Sequence, residues 1–146
     1  MTAVPKEAAA AHDAIQQWLG HLNELIGEFD GWAKELGWST RRIEKSMKDA
    51  DAGSYQASAL MLQRDTTRVL LEPIARSAPG AEGVVDLYLM PAYDDIASLY
   101  LTPAGWQLHY LFPESPMVAT IRDASSKTLS KEVLAEVLNQ MSSHVA

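Results

Sequence analysis

The chain has 146 residues and a formal net charge of −7, with 47% hydrophobic and 21% charged residues. This size and composition are typical of one soluble globular domain rather than of a disordered or fibrous chain. The acidic balance argues against a nucleic-acid-binding surface. Because the chain has no cysteine, disulfides, thiolate nucleophiles and cysteine-based metal sites are excluded.

The N-terminal residues lack the features of an export or membrane segment. The stretch MTAVPKEAAAAHDAI carries Lys, Glu, His and Asp where a signal peptide needs an unbroken apolar run. No stretch of the sequence approaches the ~18 apolar residues of a membrane span. We therefore expect a cytoplasmic protein that binds neither nucleic acid nor membrane.

Residues 1–37 are predicted to form a long helix. Their apolar residues recur in steps of three and one, so they lie along one helical face. Pro5 suits the first turn of such a helix, and Gly37 suits its end. The apolar stripe consists of Ile15, Trp18, Leu19, Leu22, Leu25, Ile26, Phe29, Trp32, Ala33 and Leu36.

The length of this helix raises the question of what covers its stripe. From about Pro5 to Leu36 the helix would be ~48 Å long, whereas a compact domain of this size has a radius of gyration of ~15 Å. Either the helix bends near Gly27 and Gly31, which weaken it, or its outer half projects. A projecting half would favour a homodimer through the first helix. The alternative, which we favour, is that the stripe packs on the protein's own sheet.

Between residues 40 and 112 the apolar period changes from helical to alternating. Segment 40–47 fits either a strand or one face of a helix, and we favour the strand. Five further segments have the composition and spacing of strands: 57–63, 68–75, 84–90, 96–101 and 106–112. Their short connections force neighbouring strands to be antiparallel. The sequence therefore predicts an antiparallel meander of five or six strands.

The chain is predicted to end in a helix over residues 129–143. Ser130 can cap the free amides of this helix, and Leu129 can pack across its first turn onto Leu134. Before it, residues 117–121 fit a minor edge strand and residues 123–128 fit a loop. We therefore predict a single α+β domain over residues 1–146, with the helices packed on one face of the sheet in two layers.

The stretch MPAYDD, residues 90–95, could be a small reactive centre or the bend between two strands. Proline and aspartate favour bends, because proline presets the φ angle and aspartate bonds nearby backbone amides. As exposed carboxylates at a loop tip, Asp94 and Asp95 would lack the burial that adapts an acid to catalysis. The bend is the preferred interpretation.

The candidate site is identified from the alternation of side chains along the predicted strands. This alternation directs the apolar residues of segments 84–90, 96–101 and 106–112 to one face, towards the helices, and a polar set to the other face. The candidate ligand-binding residues in that set are Asp86, Tyr88, Ser98, Tyr100 and His109, with Gln107 and Glu72 beside them. Such a surface suits a peptide or a small ligand. It is also compatible with the ordinary solvated side of a half-covered sheet.

Motifs for metals and cofactors are missing from the sequence. The four histidines, His12, His21, His109 and His144, lack the spacing of a local metal clamp. Segment 49–53 departs from a calcium loop, because its glycine arrives one place early. The chain has no phosphate loop, dinucleotide fingerprint or nucleophile elbow. We therefore expect neither a metal nor a cofactor.

Two functional hypotheses follow. The first is a non-enzymatic binding or assembly protein with a protein or peptide partner. In size and charge the chain is similar to bacterial secretion chaperones, which are also built as helix, sheet, helix; no motif is shared, and the similarity implies a chaperone-like role. The second is a small-molecule-binding protein or an enzyme of the hydrolase or isomerase class, with His109 as the base and Asp86 as the residue that orients it.

Overall fold

The computed structural model describes residues 6–145 except Ser115, Met117 and Ala119. The helix start expected at Pro5 lies outside this part of the chain, as do two residues of the expected edge strand at 117–121. The helices and strands are α1 (Lys6–Glu35), β1 (Ser39–Asp49), β2 (Gly53–Arg64), β3 (Thr67–Ala75), β4 (Val84–Leu89), β5 (Asp94–Thr102), β6 (Gly105–His109), β7 (Ser126–Thr128) and α2 (Lys131–Ser143), with a short 3-10 helix at Ile121–Asp123.

Helix α1 is continuous over its 30 residues, or ~45 Å. It runs through Gly27 and Gly31 without a break in the helix. Its apolar stripe is buried within one chain, so no half of the stripe projects without a cover. The buried residues of the stripe are Ala11, Ile15, Trp18, Leu22, Leu25, Ile26, Phe29 and Ala33.

The seven strands form one sheet in the order β1-β2-β3-β4-β5-β6-β7. Each strand pairs antiparallel with its neighbour in sequence, which confirms the predicted meander. The sheet has more strands than the five or six expected, because residues 126–128 form β7 where the sequence indicated a loop. This strand has only three residues, all polar, so its sequence lacks the alternation that identifies a strand.

Two further segments bear on the sequence predictions. Segment 40–47 is part of strand β1, which confirms the strand interpretation. Strand β6 ends at His109, three residues before the predicted end at residue 112. The chain turns there, since the Phe112 N–H donates to the Tyr110 carbonyl at 3.0 Å and the Tyr110 N–H donates to the Ser125 carbonyl at 3.2 Å.

Helix α2 begins as its sequence predicts. The Ser130 Oγ accepts a hydrogen bond from the Val133 N–H at 3.2 Å and so caps the first turn. Leu129 is partly buried against the core, as expected for a residue that packs across the first turn. The buried face of the helix consists of Leu134, Val137, Leu138 and Met141.

One hydrophobic core joins both helices to the same face of the sheet. It contains residues of α1 and α2 together with Leu87, Leu99 and Leu108 from three successive strands. The predicted α+β fold, with a long N-terminal helix and a shorter C-terminal one, is therefore confirmed.

The backbone at Gly83, just before β4, approaches α1 closely. A Cβ atom at position 83 would lie 2.5 Å from the Trp18 ring, so only glycine fits there. The Trp18 ring is 1% exposed, and its Nε1 donates a hydrogen bond to the Tyr55 hydroxyl at 3.1 Å. This contact brings the loop before β4 directly onto the first helix.

Candidate functional site

The surface of the sheet that faces away from the helices is called the open face here, and it carries the predicted site residues. Because Leu87, Leu99 and Leu108 point into the core, the residues next to them in each strand point the other way. The predicted set of Asp86, Tyr88, Ser98, Tyr100 and His109 therefore shares one face.

The strand register arranges part of this set as a line, the polar row, defined as Glu72, Asp86, Ser98 and His109. Each of these residues is directly opposite the next one on the neighbouring strand. Four strands, β3 to β6, thus contribute one side chain each. Tyr88 and Tyr100 lie on opposite sides of the row, because each is two residues beyond a member of it.

The carboxylate of Asp86 is the centre of a hydrogen-bond network. The Ser98 Oγ donates to Asp86 Oδ1 at 2.7 Å, and the Tyr88 hydroxyl donates to Asp86 Oδ2 at 3.0 Å. Ser98 is only 3% exposed, so its hydroxyl is fixed against the carboxylate. Burial, followed by the charge of Asp86, raises the pKa of the Tyr88 hydroxyl above its ordinary value of 10.0. Tyr88 therefore acts as a neutral hydrogen-bond donor.

His109 and Tyr100 form a second group, separate from this network. Their rings meet edge to face, with centroids 5.0 Å apart, and the Arg122 guanidinium lies 4.9 Å from the Tyr100 ring centroid. The His109 Nδ1 atom is buried and has no hydrogen-bond partner among the described residues. In that same part of the chain no hydrogen bond joins His109 to Asp86, because Ser98 stands between them.

At its β3 end the polar row reaches strand β1. Glu72 Oε1 lies 3.6 Å from the Lys45 ammonium, which also donates to the Pro73 carbonyl at 2.8 Å. The lysine and the glutamate are both partly exposed. The row therefore ends in an ion pair at the rim of the sheet.

A second line on the open face is apolar and was missed by the sequence analysis. In this apolar row, defined as Met61, Leu70, Tyr88 and Tyr93, the first three residues are opposite one another on β2, β3 and β4. Tyr93 packs edge to face on Tyr88, with centroids 5.4 Å apart, and is 51% exposed. The apolar row could be recognised only from the register, because Met61 and Tyr93 are 32 residues apart in sequence.

The stretch MPAYDD contains a turn, as expected, since residues 90–93 connect β4 to β5. The expectation that both carboxylates are exposed is wrong for Asp95, whose side chain is 16% exposed. Asp95 Oδ1 accepts a hydrogen bond from the Tyr110 hydroxyl at 2.7 Å, and Oδ2 lies 2.5 Å from His144 Nδ1. Burial, and next the bond to Asp95, raises the pKa of Tyr110. No local pattern reveals these contacts, because the partners are the residue that follows β6 and the C-cap residue of α2.

Asp95 and His144 form a carboxylate–imidazole pair of the kind found in catalytic sites. The other contacts of His144 argue against a catalytic role. His144 Nε2 is 3.1 Å from the Gln140 side-chain nitrogen, so both ring nitrogens have partners. A general base needs a free nitrogen within reach of its substrate. The pair instead joins the end of α2 to the start of β5.

In segment 49–53, which partly resembles a calcium loop, the first carboxylate, that of Asp49, already accepts hydrogen bonds from other groups of the protein. Asp49 accepts hydrogen bonds from the backbone N–H groups of Asp51 and Ala52 at 2.9 and 3.0 Å, and its Oδ2 lies 2.5 Å from Arg76 Nε. The hydrogen bond from Arg76 is the largest cause that lowers the pKa of Asp49 to about 2. Among the described residues no three acidic or histidine side chains gather as a metal site.

Comparison with known proteins provides no function for this chain. No protein-family model, no curated protein and no solved structure matches it. Neither of the two described helices combines the length and the apolar character needed to cross a membrane. A functional proposal therefore depends on the residues of the open face themselves.

Proposed function

We propose that the protein is a non-enzymatic binding module that takes a protein or peptide partner on the open face. The observation that carries this proposal is the presence of two adjacent rows of different character. One is polar, with Asp86 and Ser98 bonded to each other, and the other is apolar and ends in the half-exposed Tyr93. Interfaces for protein segments combine aromatic and methionine contacts with a few fixed polar groups.

The polar row is organised before a partner arrives. Ser98 and Tyr88 hold both oxygens of Asp86, so this carboxylate loses little conformational freedom when a partner binds. Such preorganisation favours affinity, because ordering side chains at an interface costs free energy. The row therefore offers a fixed acceptor at the middle of the open face.

The apolar row offers contact area of two kinds. Tyr93 is a large side chain with few rotatable bonds, and Met61 adapts its shape to different partners. These features together support a surface for an extended segment.

The alternative of acid–base catalysis by His109 has less support from the geometry. That mechanism needs Asp86 within hydrogen-bond reach of the imidazole. Both Asp86 oxygens instead accept bonds from Ser98 and Tyr88. We therefore favour binding over catalysis.

Selection from a library of random peptides displayed on phage tests the proposal. Fluorescence anisotropy would then measure each selected peptide against the wild type and against Tyr93→Asn. We expect the substitution to weaken binding by about tenfold, as for the loss of one exposed aromatic anchor. Tyr93 has φ 57, a conformation that asparagine tolerates, so the variant should fold normally.

Leu111→Asn is the matched control, since Leu111 is an apolar residue that is 37% exposed and lies outside the strands. We expect this variant to bind the selected peptides like the wild type. Peptides that bind Tyr93→Asn and the wild type equally well, with circular dichroism showing both proteins folded, would contradict the proposal.

A further inference from the structure

Strand β1 is a long edge of the sheet. It has 11 residues and, in the described part of the chain, pairs with another strand only on its β2 side. Alternate backbone N–H and C=O groups of an edge strand point outward without a strand partner. An extended peptide can pair with such groups as an added strand.

The charge of this edge differs from that of the whole protein. The strand sequence STRRIEKSMKD contains four cationic and two acidic side chains, in a chain of net charge −7. Asp49 is paired with Arg76 and Lys45 with Glu72, which leaves three cations and one acid of the strand without an ion pair among the described residues. The edge is therefore locally basic and complements an acidic partner.

A cavity of about 240 Å³ lies beside the first half of this edge. Arg41 on β1 and Arg68 on β3 line it, together with Ser39, Gln63 and Met61. Both arginines are exposed, and in the described part of the chain neither has an ion pair or a side-chain hydrogen bond.

Two nearby arginines are already engaged, unlike this pair. The Arg64 guanidinium stacks 4.7 Å from the Trp38 ring centroid, and Arg76 bonds to Asp49. A guanidinium group matches a carboxylate geometrically and can form two parallel hydrogen bonds with it. Two uncommitted arginines at one cavity therefore suit a carboxylate ligand.

We infer that an acidic, extended segment of a protein partner adds to β1 as an eighth strand and directs a carboxylate side chain over β1 into the cavity that Arg41 and Arg68 line. The inference rests on the proposed function, since it names the partner and its point of entry. Met61 connects the two surfaces, because it lines the cavity and also begins the apolar row.

A protein segment fits this edge better than a nucleic acid does. The net charge of −7 repels a long polyanion, whereas a short acidic segment meets only the local cations. The outward backbone groups of β1 need N–H and C=O partners, which only a polypeptide provides in the spacing of a strand.

A labelled synthetic peptide of alternating Glu and Val residues tests the inference by fluorescence anisotropy. In an extended strand all its carboxylates would lie on one face. We expect binding that weakens when Gln replaces every Glu, that weakens with added salt, and that is lost when alternate peptide nitrogens are methylated to block strand pairing.

Arg41→Gln and Arg68→Gln should each weaken the peptide by about tenfold, the effect expected for one lost charge-assisted hydrogen bond. Arg42→Gln is the matched control. This arginine is the next residue on the same strand, but it points to the helix side, where its charge contributes to lowering the pKa of Asp30. We expect it to bind the peptide like the wild type.

Equal losses in Arg41→Gln and Arg42→Gln would mean unspecific attraction and would overturn the inference, as would unchanged binding of the methylated peptide. Selected peptides that depend on Tyr93 but are neither acidic nor sensitive to Arg41 and Arg68 would overturn it while leaving the proposed function intact. Acidic peptides that need both arginines but not Tyr93 would support the edge site and contradict binding on the open face.

Discussion

Trp18 links three parts of the molecule through one side chain. Its ring is buried, its Nε1 bonds to Tyr55 on β2, and its edge lies against the backbone at Gly83. The helical stripe in the sequence predicts that Trp18 is buried, because its position follows the helical period. The contact with Gly83 could not be predicted, since it depends on how the loop before β4 passes over α1.

Gly83→Ala should destabilise the protein by about 1–3 kcal/mol, because the added methyl group overlaps a ring that is fixed by packing and by a hydrogen bond. Urea unfolding followed by tryptophan fluorescence measures the change. Gly27→Ala is the control within α1: it has nothing within 4 Å of its added Cβ and should stabilise the protein by up to about 1 kcal/mol. Unchanged stability in Gly83→Ala would mean that the loop moves away freely.

The residues of the candidate site were predictable in part. Alternation alone places Asp86, Tyr88, Ser98, Tyr100 and His109 on one face, because the period of a strand is a local property. Which of them meet depends on the register, and the sequence does not show that Ser98 rather than His109 contacts Asp86. The orientation of His109 by Asp86 therefore stays a prediction.

At the scale of the elements, packing and pairing between helices and strands decide which segments are ordered where local propensity alone does not. The three glycines at positions 20, 27 and 31 weaken an isolated helix, yet α1 is continuous because its buried stripe packs along the sheet. Strand β7 exists only through its pairing with β6. Local propensity therefore predicts the long elements and misses the short one.

The end of α2 is attached to β5 by Asp95 and His144. We expect His144→Gln to increase amide hydrogen exchange in the last turn of α2 by about tenfold, the result of losing one charge-assisted hydrogen bond. Exchange followed by mass spectrometry measures this change. Ser143→Ala is the control: it removes an exposed hydroxyl that donates only to the Gln140 carbonyl within the same turn, so it breaks no link to β5 and should leave the exchange rate near that of the wild type. Equal rates in His144→Gln and the wild type would contradict a role of this pair in holding α2.

For the whole molecule, the order helix, sheet, helix followed from two changes of hydrophobic period, and the meander followed from the short connections. The expected homodimer rested on a stripe too long for one body to cover. That stripe is buried within a single chain. The exposed side of α1 is polar, with residues such as His21, Glu24 and Glu28, and the homodimer through this helix stays a prediction.

The pH dependence of global stability should reflect the pair of Asp49 and Arg76. Because the pKa of Asp49 is about 2 in the folded protein and 3.8 ordinarily, its stabilising effect is complete above about pH 4. It is lost as the pH falls towards 2. Asp49→Asn should therefore destabilise the protein at neutral pH, while its difference from the wild type shrinks progressively in acid.

Urea titrations at neutral pH, near pH 4 and near pH 2.5 would measure this difference. Asp51→Asn is the control, since the Asp51 side chain is 71% exposed and lies 3.4 Å from Arg76. Its effect should be small at every pH. A difference between Asp49→Asn and the wild type that stays constant down to pH 2.5 would contradict the assignment.

The polar row takes one residue from each of four successive strands, so its composition depends on the pairing register of those strands. One extra residue that shifted the pairing of β5 with β6 would turn His109 towards the core and Leu108 outward. The short hairpin connections contain no residue of the polar row, yet they fix the strand register and so keep the row residues opposite one another. A variant chain with every row residue intact but a longer connection would present a different surface to its partner.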